Sequence, residues 1–311
     1  IRDLVRSRGL GDVYKRQGIT DTLSTFAACV GSLQVGDVVF RCNNRSGHGE
    51  LNLIEAIETS CNTYFHHLAQ LMGIETWREY AEKFGLGQPT GLTFEPGEYV
   101  GLLPSRQYYQ ERDGWTLGHL LNLIIGQGAM LATPIQMARY TAAIANGGNL
   151  VTPHLSGLPP PQQRIDGISK STLDIVRKAM HQVVYGPQGT GWRLAIEGIE
   201  VAGKTGTAEM INGSGGFQKH SNLSSFVGAF PINNPQYLIL VLIENPKPQI
   251  KKLNHHFTTG GQVAAPVVKE IVKKIAPILN IHPFVTDLPK IEQSLKLKFL
   301  DNNLEVINAS L

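Results

Sequence analysis

Val201-Ala202-Gly203-Lys204-Thr205-Gly206-Thr207-Ala208-Glu209-Met210 decides how the rest of the chain is read. Val201 and Ala202 carry strand character in from Ile199, and an ammonium, two hydroxyls and a bare glycine then alternate. On a strand the side chains at i and i+2 share a face, so Lys204 and Gly206 are predicted to point one way and Thr205 and Thr207 the other. A cation beside a strand whose glycine leaves the backbone accessible suits an extended ligand that carries a carboxylate and adds to a sheet edge. The plainer reading is a glycine bulge beside a solvated lysine.

Working outward, segments 226–230 and 237–244 flank Pro231-Ile-Asn-Asn-Pro235 and read as a hairpin whose strands are apolar enough to be central. A final helix is predicted over 263–278. Upstream, 171–184 is amphipathic, with Val176, Met180 and Val183 inward. Thr133-Pro134-Ile135-Gln136 is a helix start with Thr133 as N-cap, Pro134 at the first position and Gln136 placed to complete a capping box; the helix stops at Gly147-Gly148. Segment 86–128 is rich in Gly, Pro and aromatics without periodicity and reads as loops. Segment 51–73 reads as helix, break, helix, with Ser60 and Asn62 as N-cap candidates at the break and a further helix over 75–84. Segment 18–50 is short, glycine-punctuated and strand-like, most clearly over 37–42. Late hairpins with helices before, between and after them argue for an α+β fold: an antiparallel sheet covered by helices on both faces.

Hydrophobic residues make up 42% and charged residues 17% of 311, a globular balance. No apolar run approaches the roughly 18 residues needed to cross a membrane. Residues 1–17 lack either periodicity, and Asp12-Val-Tyr-Lys-Arg-Gln17 resembles the translation of a transposon end used in sequencing-library preparation; we read 1–17 as an assembly artefact. Its five Lys/Arg and two Asp reduce the chain's 28 basic and 25 acidic residues to 23 of each, so the formal +3 falls to zero and gives no support to a nucleic-acid partner.

Cys29, Cys42 and Cys61 are all the cysteines, gathered with His48 within the 33 positions from 29 to 61. Three readings stay open: a structural zinc on Cys29, Cys42, His48 and Cys61, buried or unpaired thiols, or one disulfide with a thiol left over.

Ser60-Cys61-Asn62 at a helix start, far upstream of Lys204-Thr205-Gly206, is two-thirds of a serine acyl-transfer signature. With Gly47-His48-Gly49, Ala56-Ile-Glu-Thr-Ser-Cys-Asn-Thr-Tyr-Phe65, Phe84-Gly-Leu-Gly87, Thr90-Gly91, Gly126-Gln-Gly128, Ala132-Thr-Pro-Ile-Gln136 and Gly203-Lys-Thr-Gly-Thr-Ala208, the chain from about 18 to 277 resembles the transpeptidase domain of class B penicillin-binding proteins, in particular the elongation-specific penicillin-binding protein 2 group. The resemblance implies peptidoglycan D,D-transpeptidation by serine acyl transfer without a required cofactor. Ser60 would relay protons and Asn62 would bind the substrate amide. Lys204 would tune the relay. Thr205 and Thr207 would hold the substrate or β-lactam carboxylate, Gly206 would keep the strand open, and the Thr207 N–H would supply half an oxyanion hole. It also implies a transpeptidase domain over 18–281 with a tail at 282–311 and an extracytoplasmic location behind an N-terminal membrane anchor. The implied partners are peptidoglycan stem peptides, β-lactams, a cell-elongation glycosyltransferase and scaffold proteins. Members of the family carry metal beside Ser-x-Asn, where zinc would lock the loop that aims Ser60.

One departure is large. The family's nucleophile lies in Ser-x-x-Lys, and none of the serines here has lysine three positions on; Ser24-Thr25-Phe26-Ala27 ends in alanine. We therefore expect a fragment truncated at its N-terminus, inactive as given, with apolar surface exposed beside Ser60 and Lys204. A non-catalytic β-lactam sensor or pseudoenzyme scaffold is the alternative. A β-lactamase or D,D-carboxypeptidase fits less well with the insert between Gly87 and Gly126.

Overall fold

The computed structural model describes residues 25–92, 97–211, 217–247 and 258–283. Residues 1–17, Ser24 and all of the 282–311 tail except its first two positions lie outside them. The chain opens with a small antiparallel ribbon, β1 (Ser32–Val35) and β2 (Val38–Arg41). Helix α1 (Leu53–Glu58) and helix α2 (Asn62–Lys83) follow, separated by the Thr59-Ser60-Cys61 turn. At Gly73 (φ 75°, ψ 164°) the backbone leaves the helical region, so α2 is two helices joined at a kink, and the second is the separate helix expected over 75–84. Segment 86–128 is less irregular than its composition implies. It contains α3 (Arg106–Gln110) and α4 (Leu117–Ile124), each started by a capping residue, Ser105 and Thr116.

Helix α5 (Pro134–Ala145) begins as its sequence dictates: Thr133 Oγ1 accepts from the Gln136 N–H at 3.2 Å, and Gln136 Oε1 accepts from the Thr133 N–H at 2.9 Å. The fully buried Gln136 amide also donates to Gln88 O at 2.8 Å and Val100 O at 2.9 Å, so the helix cap fastens the preceding loop. A two-residue ribbon of β3 (Asn149–Leu150) and β4 (Gln163–Arg164) leads to α6 (Lys170–Tyr185), which buries Val176, Met180 and Val183.

The main sheet is β5 (Ala202–Ile211), β6 (Phe217–Phe230) and β7 (Tyr237–Glu244), antiparallel in the order β5-β6-β7. The apolar text of β7 pointed to a central strand; instead β6 is central and β7 lies at the edge among the described residues, its side chains half-buried. Alternation divides the sheet between two cores. Val227, Leu238 and Leu240 face the core shared with Met137 of α5 and Met180 of α6. Phe226, Phe230, Ile239 and Val241 face Ala264, Val268 and Val272 of α7 (Gly260–Ile275). Helices therefore cover both faces, as expected. Trp77, Phe65, Phe84 and Tyr140 are fully buried in the first core, where truncation of such a ring typically costs about 3–5 kcal/mol.

Candidate active site

Strand β5 has only one partner in the sheet among the described residues, so its other edge faces a groove of about 440 Å³. Its entry is fixed by Tyr185 of α6, whose hydroxyl donates to Ile199 O at 3.0 Å and accepts from the Val201 N–H at 3.3 Å. Alternation holds along the strand. Thr205, Thr207 and Glu209 line the groove, whereas Lys204 passes through an apolar hollow formed with Met137, Val227, Leu240 and Leu242. The apolar surface expected beside the site thus lies on the Lys204 side; Ser60 opens onto a groove of mixed polar and apolar lining.

The opposite wall is irregular. Ser60 adopts φ 56°, a left-handed conformation that costs an L-residue roughly 1–2 kcal/mol, in the tight turn between α1 and α2. The α2 N-cap is Cys61, whose Sγ accepts from the Tyr64 N–H at 3.5 Å. This corrects the expectation that Ser60 or Asn62 caps the helix, Asn62 being its first residue. The backbone twist that removes Ser60 from capping turns its hydroxyl to Lys204, whose Nζ donates to Ser60 Oγ across 144 residues of chain. Lys204 is 3% exposed, and its ammonium also lies 3.3 Å from Thr205 O and 3.4 Å from Thr205 Oγ1. A charge this buried needs such acceptors around it. Asn62, 2% exposed, donates its amide to Arg41 O at 3.0 Å and its backbone N–H to Cys42 Sγ at 3.3 Å. Ser60, Asn62, Thr205, Gly206 and Thr207 all line the one groove.

Beneath the Ser60 turn, Cys29, Cys42, His48 and Cys61 bring their sulfur and ring-nitrogen atoms within 4.8 Å of one another. His48 Nδ1 lies 3.6 Å from Cys29 Sγ and 3.5 Å from Cys42 Sγ, and the Cys42 and Cys61 sulfurs are 3.8 Å apart. The three thiols are buried and unbridged, which removes the disulfide reading. Hydrogen bonding from the Cys61 thiol, aided by His48, holds the Cys42 thiol well below its ordinary pKa; the same contact pushes Cys61 up. His48 is raised, chiefly by Cys42.

Three contributors were missed in the sequence. Glu58, 6% exposed, accepts from the Gln188 N–H at 2.7 Å and ties the α1 end to the 186–191 loop. Thr190 on that loop lies 2.8 Å from Thr205, hydroxyl to hydroxyl. The α7 N-terminus closes on the strand, with the Gly260 N–H donating to Thr207 Oγ1 at 3.2 Å; a Cβ on Gly260 would lie 2.1 Å from Ser225 O. Only Thr258-Thr-Gly-Gly261, a hydroxyl pair followed by two glycines before an amphipathic helix, offered a local signal.

Residues 16–273 match the family described as the penicillin binding protein transpeptidase domain. The chain is 32% identical over 272 residues to the stage V sporulation protein D of Bacillus subtilis, covering 84% of this chain and 39% of that one. It is also 32% identical over 274 residues to the peptidoglycan D,D-transpeptidase MrdA of Salmonella typhimurium, covering 82% and 42%. The Pseudomonas aeruginosa PBP2 structure, in complex with WCK 5153, superposes with a TM-score of 0.74 at 33% identity, over 92% of this chain and 62% of that chain. PBP2 from Helicobacter pylori, in complex with MreC, gives 0.76 at 28% identity, over 89% and 49%. The chain thus spans about two-fifths of the length of the curated relatives, 39% and 42%. With both walls of the groove inside the matched region, this chain belongs to the penicillin-binding protein transpeptidase family.

Proposed function

We propose that this chain forms the substrate-binding groove of a peptidoglycan D,D-transpeptidase, a serine acyl-transfer enzyme that takes stem peptides ending in acyl-D-Ala-D-Ala and is blocked by β-lactams. The observation that carries the reading is the Lys204–Ser60 hydrogen bond beside the edge of β5 that has no strand partner among the described residues. An extended acyl-D-Ala-D-Ala adds along that edge. Thr205 and Thr207 take its terminal carboxylate, Asn62 takes a backbone amide, and the Thr207 N–H faces the carbonyl oxygen that becomes an oxyanion. A single oxyanion donor is typically worth about 3–4 kcal/mol. In the reaction a serine oxygen bonds to the penultimate D-Ala carbonyl carbon. The C–N bond to the terminal D-Ala breaks, and its nitrogen receives a proton through Ser60, oriented by Lys204. The amine of a second stem then attacks the ester and frees the serine. No serine among the 311 residues stands in Ser-x-x-Lys, so we read this chain as one that binds these ligands without being acylated.

The four donors under Ser60 suit zinc. With Zn–S near 2.3 Å and Zn–N near 2.0–2.1 Å, a tetrahedral site sets S–S at about 3.8 Å and S–N at about 3.6 Å, against the 3.8, 3.5 and 3.6 Å found. Zinc on Cys29, Cys42, His48 and Cys61 would be structural, with no position open to substrate, and would cross-link the β1–β2 ribbon to the Ser60 turn. Metal analysis of the purified chain tests this: about one zinc per chain is expected, and none with three titratable thiols refutes it.

The PBP2–MreC complex of H. pylori supports a scaffold protein of that kind as partner; a peptidoglycan glycosyltransferase rests on the family resemblance alone. We place the domain outside the cytoplasmic membrane; no helix among the described residues is long and apolar enough to cross one.

Calorimetry with benzylpenicillin, paired with intact-mass measurement, tests the function. Reversible binding without an adduct, abolished by Thr205→Val with Thr207→Val, is expected. A stoichiometric covalent adduct would refute the binding-only reading, and absence of binding would favour a scaffold that has lost the site.

A further inference from the structure

Thr190 belongs to no motif, yet the loop carrying it is fixed more tightly than its sequence, Gly186-Pro-Gln-Gly-Thr190, requires for a simple connection. Glu58 presses on it from α1: its carboxylate accepts from the Gln188 N–H, and a Cβ on Gly186 would lie 2.4 Å from Glu58 Oε1. The Thr190 N–H donates to Glu58 O at 3.4 Å, and the Gly191 N–H to Val183 O at 2.8 Å. From the other side α7 closes in, so that a Cβ on Gly261 would lie 2.0 Å from Thr190 O. Three elements converge on one residue, and its hydroxyl is left at the groove, 2.8 Å from Thr205 Oγ1.

Proton bookkeeping then gives the hydroxyl a direction. The Lys204 ammonium has only protons to offer, and Thr205 Oγ1 at 3.4 Å is one of its acceptors. One lone pair of Thr205 Oγ1 serves Lys204; either hydroxyl can donate across the 2.8 Å contact, and the chain takes the arrangement in which Thr205 donates to Thr190 Oγ1. Thr190 accepts that bond and has its own proton left for the groove. Each bond polarises the next, so a positive charge buried out of ligand reach is expressed at a hydroxyl that a ligand touches.

We propose that Thr190 is a third carboxylate-binding hydroxyl, at the end of the chain Lys204–Thr205–Thr190, and that it selects ligands with a free α-carboxylate: acyl-D-alanyl-D-alanine acids and β-lactam acids rather than their amides or esters. This rests on the transpeptidase reading above, since it specifies which group reads the ligand's terminus.

The test is equilibrium binding of diacetyl-L-Lys-D-Ala-D-Ala and of its C-terminal carboxamide to the full chain, by calorimetry or ligand-observed NMR. Wild type is expected to prefer the acid. Thr190→Val is expected to weaken acid binding about tenfold, the scale of a hydrogen bond to a charged group, and amide binding less than twofold. Thr190→Ser should restore the preference. Thr190→Ala, which keeps every backbone contact to Glu58 and Gly261, should repeat the selective loss should the valine variant misfold. Equal weakening of acid and amide in both variants, or an unchanged preference, overturns the proposal: Thr190 would then be packing only. Loss of both ligands in wild type would overturn the transpeptidase reading itself, and this proposal with it.

Discussion

The two walls of the groove are built on different principles. The β5 wall is a regular ladder, in register with β6 from Ala202↔Ala229 to Glu209↔Asn222, backed by α6 and closed by α7. The Ser60 wall has a four-residue ribbon, a left-handed serine and four soft donors gathered beneath it. A ladder holds its own geometry because each residue adds a backbone bond. A turn containing φ 56° persists only where its surroundings over-determine it. The difference teaches that the Ser60 hydroxyl depends on what is packed beneath its turn, whereas the recognition edge is held by the sheet.

The largest effect expected from this contrast comes from the zinc proposed under Ser60. Cys61→Ser, or chelation of the zinc-loaded chain, should cost several kcal/mol, since structural zinc contributes its binding free energy to folding. Hydrogen exchange should rise over 29–62 and stay slow over 202–230. Uniform loss of protection would erase the distinction between the walls. Next comes Gly260→Ala, whose methyl meets Ser225 O and Gly206 O. A destabilisation of about 1–3 kcal/mol in urea is expected, with exchange rising instead along β5. Glu58→Gln should cost about 1–2 kcal/mol, because the Gln188 N–H keeps an acceptor but loses a charged one. Its effect should reach the groove through the 186–191 loop and weaken ligand binding modestly. The smallest effect belongs to Asp174, outside both walls, whose pKa is lowered first by Lys170 and then by Arg177. A carboxylate held below its unfolded value of about 3.9 adds stability above that pH and loses it as pH falls through the lower folded value. Its side chain is 38% exposed, so Asp174→Asn should change stability at pH 7 by less than about 0.5 kcal/mol and flatten the acid limb slightly. A larger change would mean that stability is not concentrated at the walls.

What could be read from the chain tracks how local its cause is. Thr133, Pro134 and Gln136 start α5 by contacts three residues apart, and the sequence shows all of them. Alternation along β5 likewise separates Lys204 from Thr205 without tertiary knowledge. Ser60 misled a local rule: a serine before a helix is a good cap, but here Cys61 caps, and the reason sits 144 residues away on Lys204. Glu58 gave no signal because its partner, the Gln188 N–H, is 130 positions distant. Helix α3 is only five residues long, too short for a 3.6-residue period to show. The β7 run was apolar enough to read as central; among the described residues it has one strand neighbour, and its two faces pack against two cores.

A double-mutant cycle on Ser60 and Lys204 tests most directly whether the two walls meet as described. Ser60→Ala, Lys204→Met and the pair would be unfolded in urea under identical conditions. A buried hydrogen bond from an ammonium should give a coupling of about 1.5–3 kcal/mol. Additivity within about 0.3–0.5 kcal/mol, the behaviour of sites that do not touch, would contradict it.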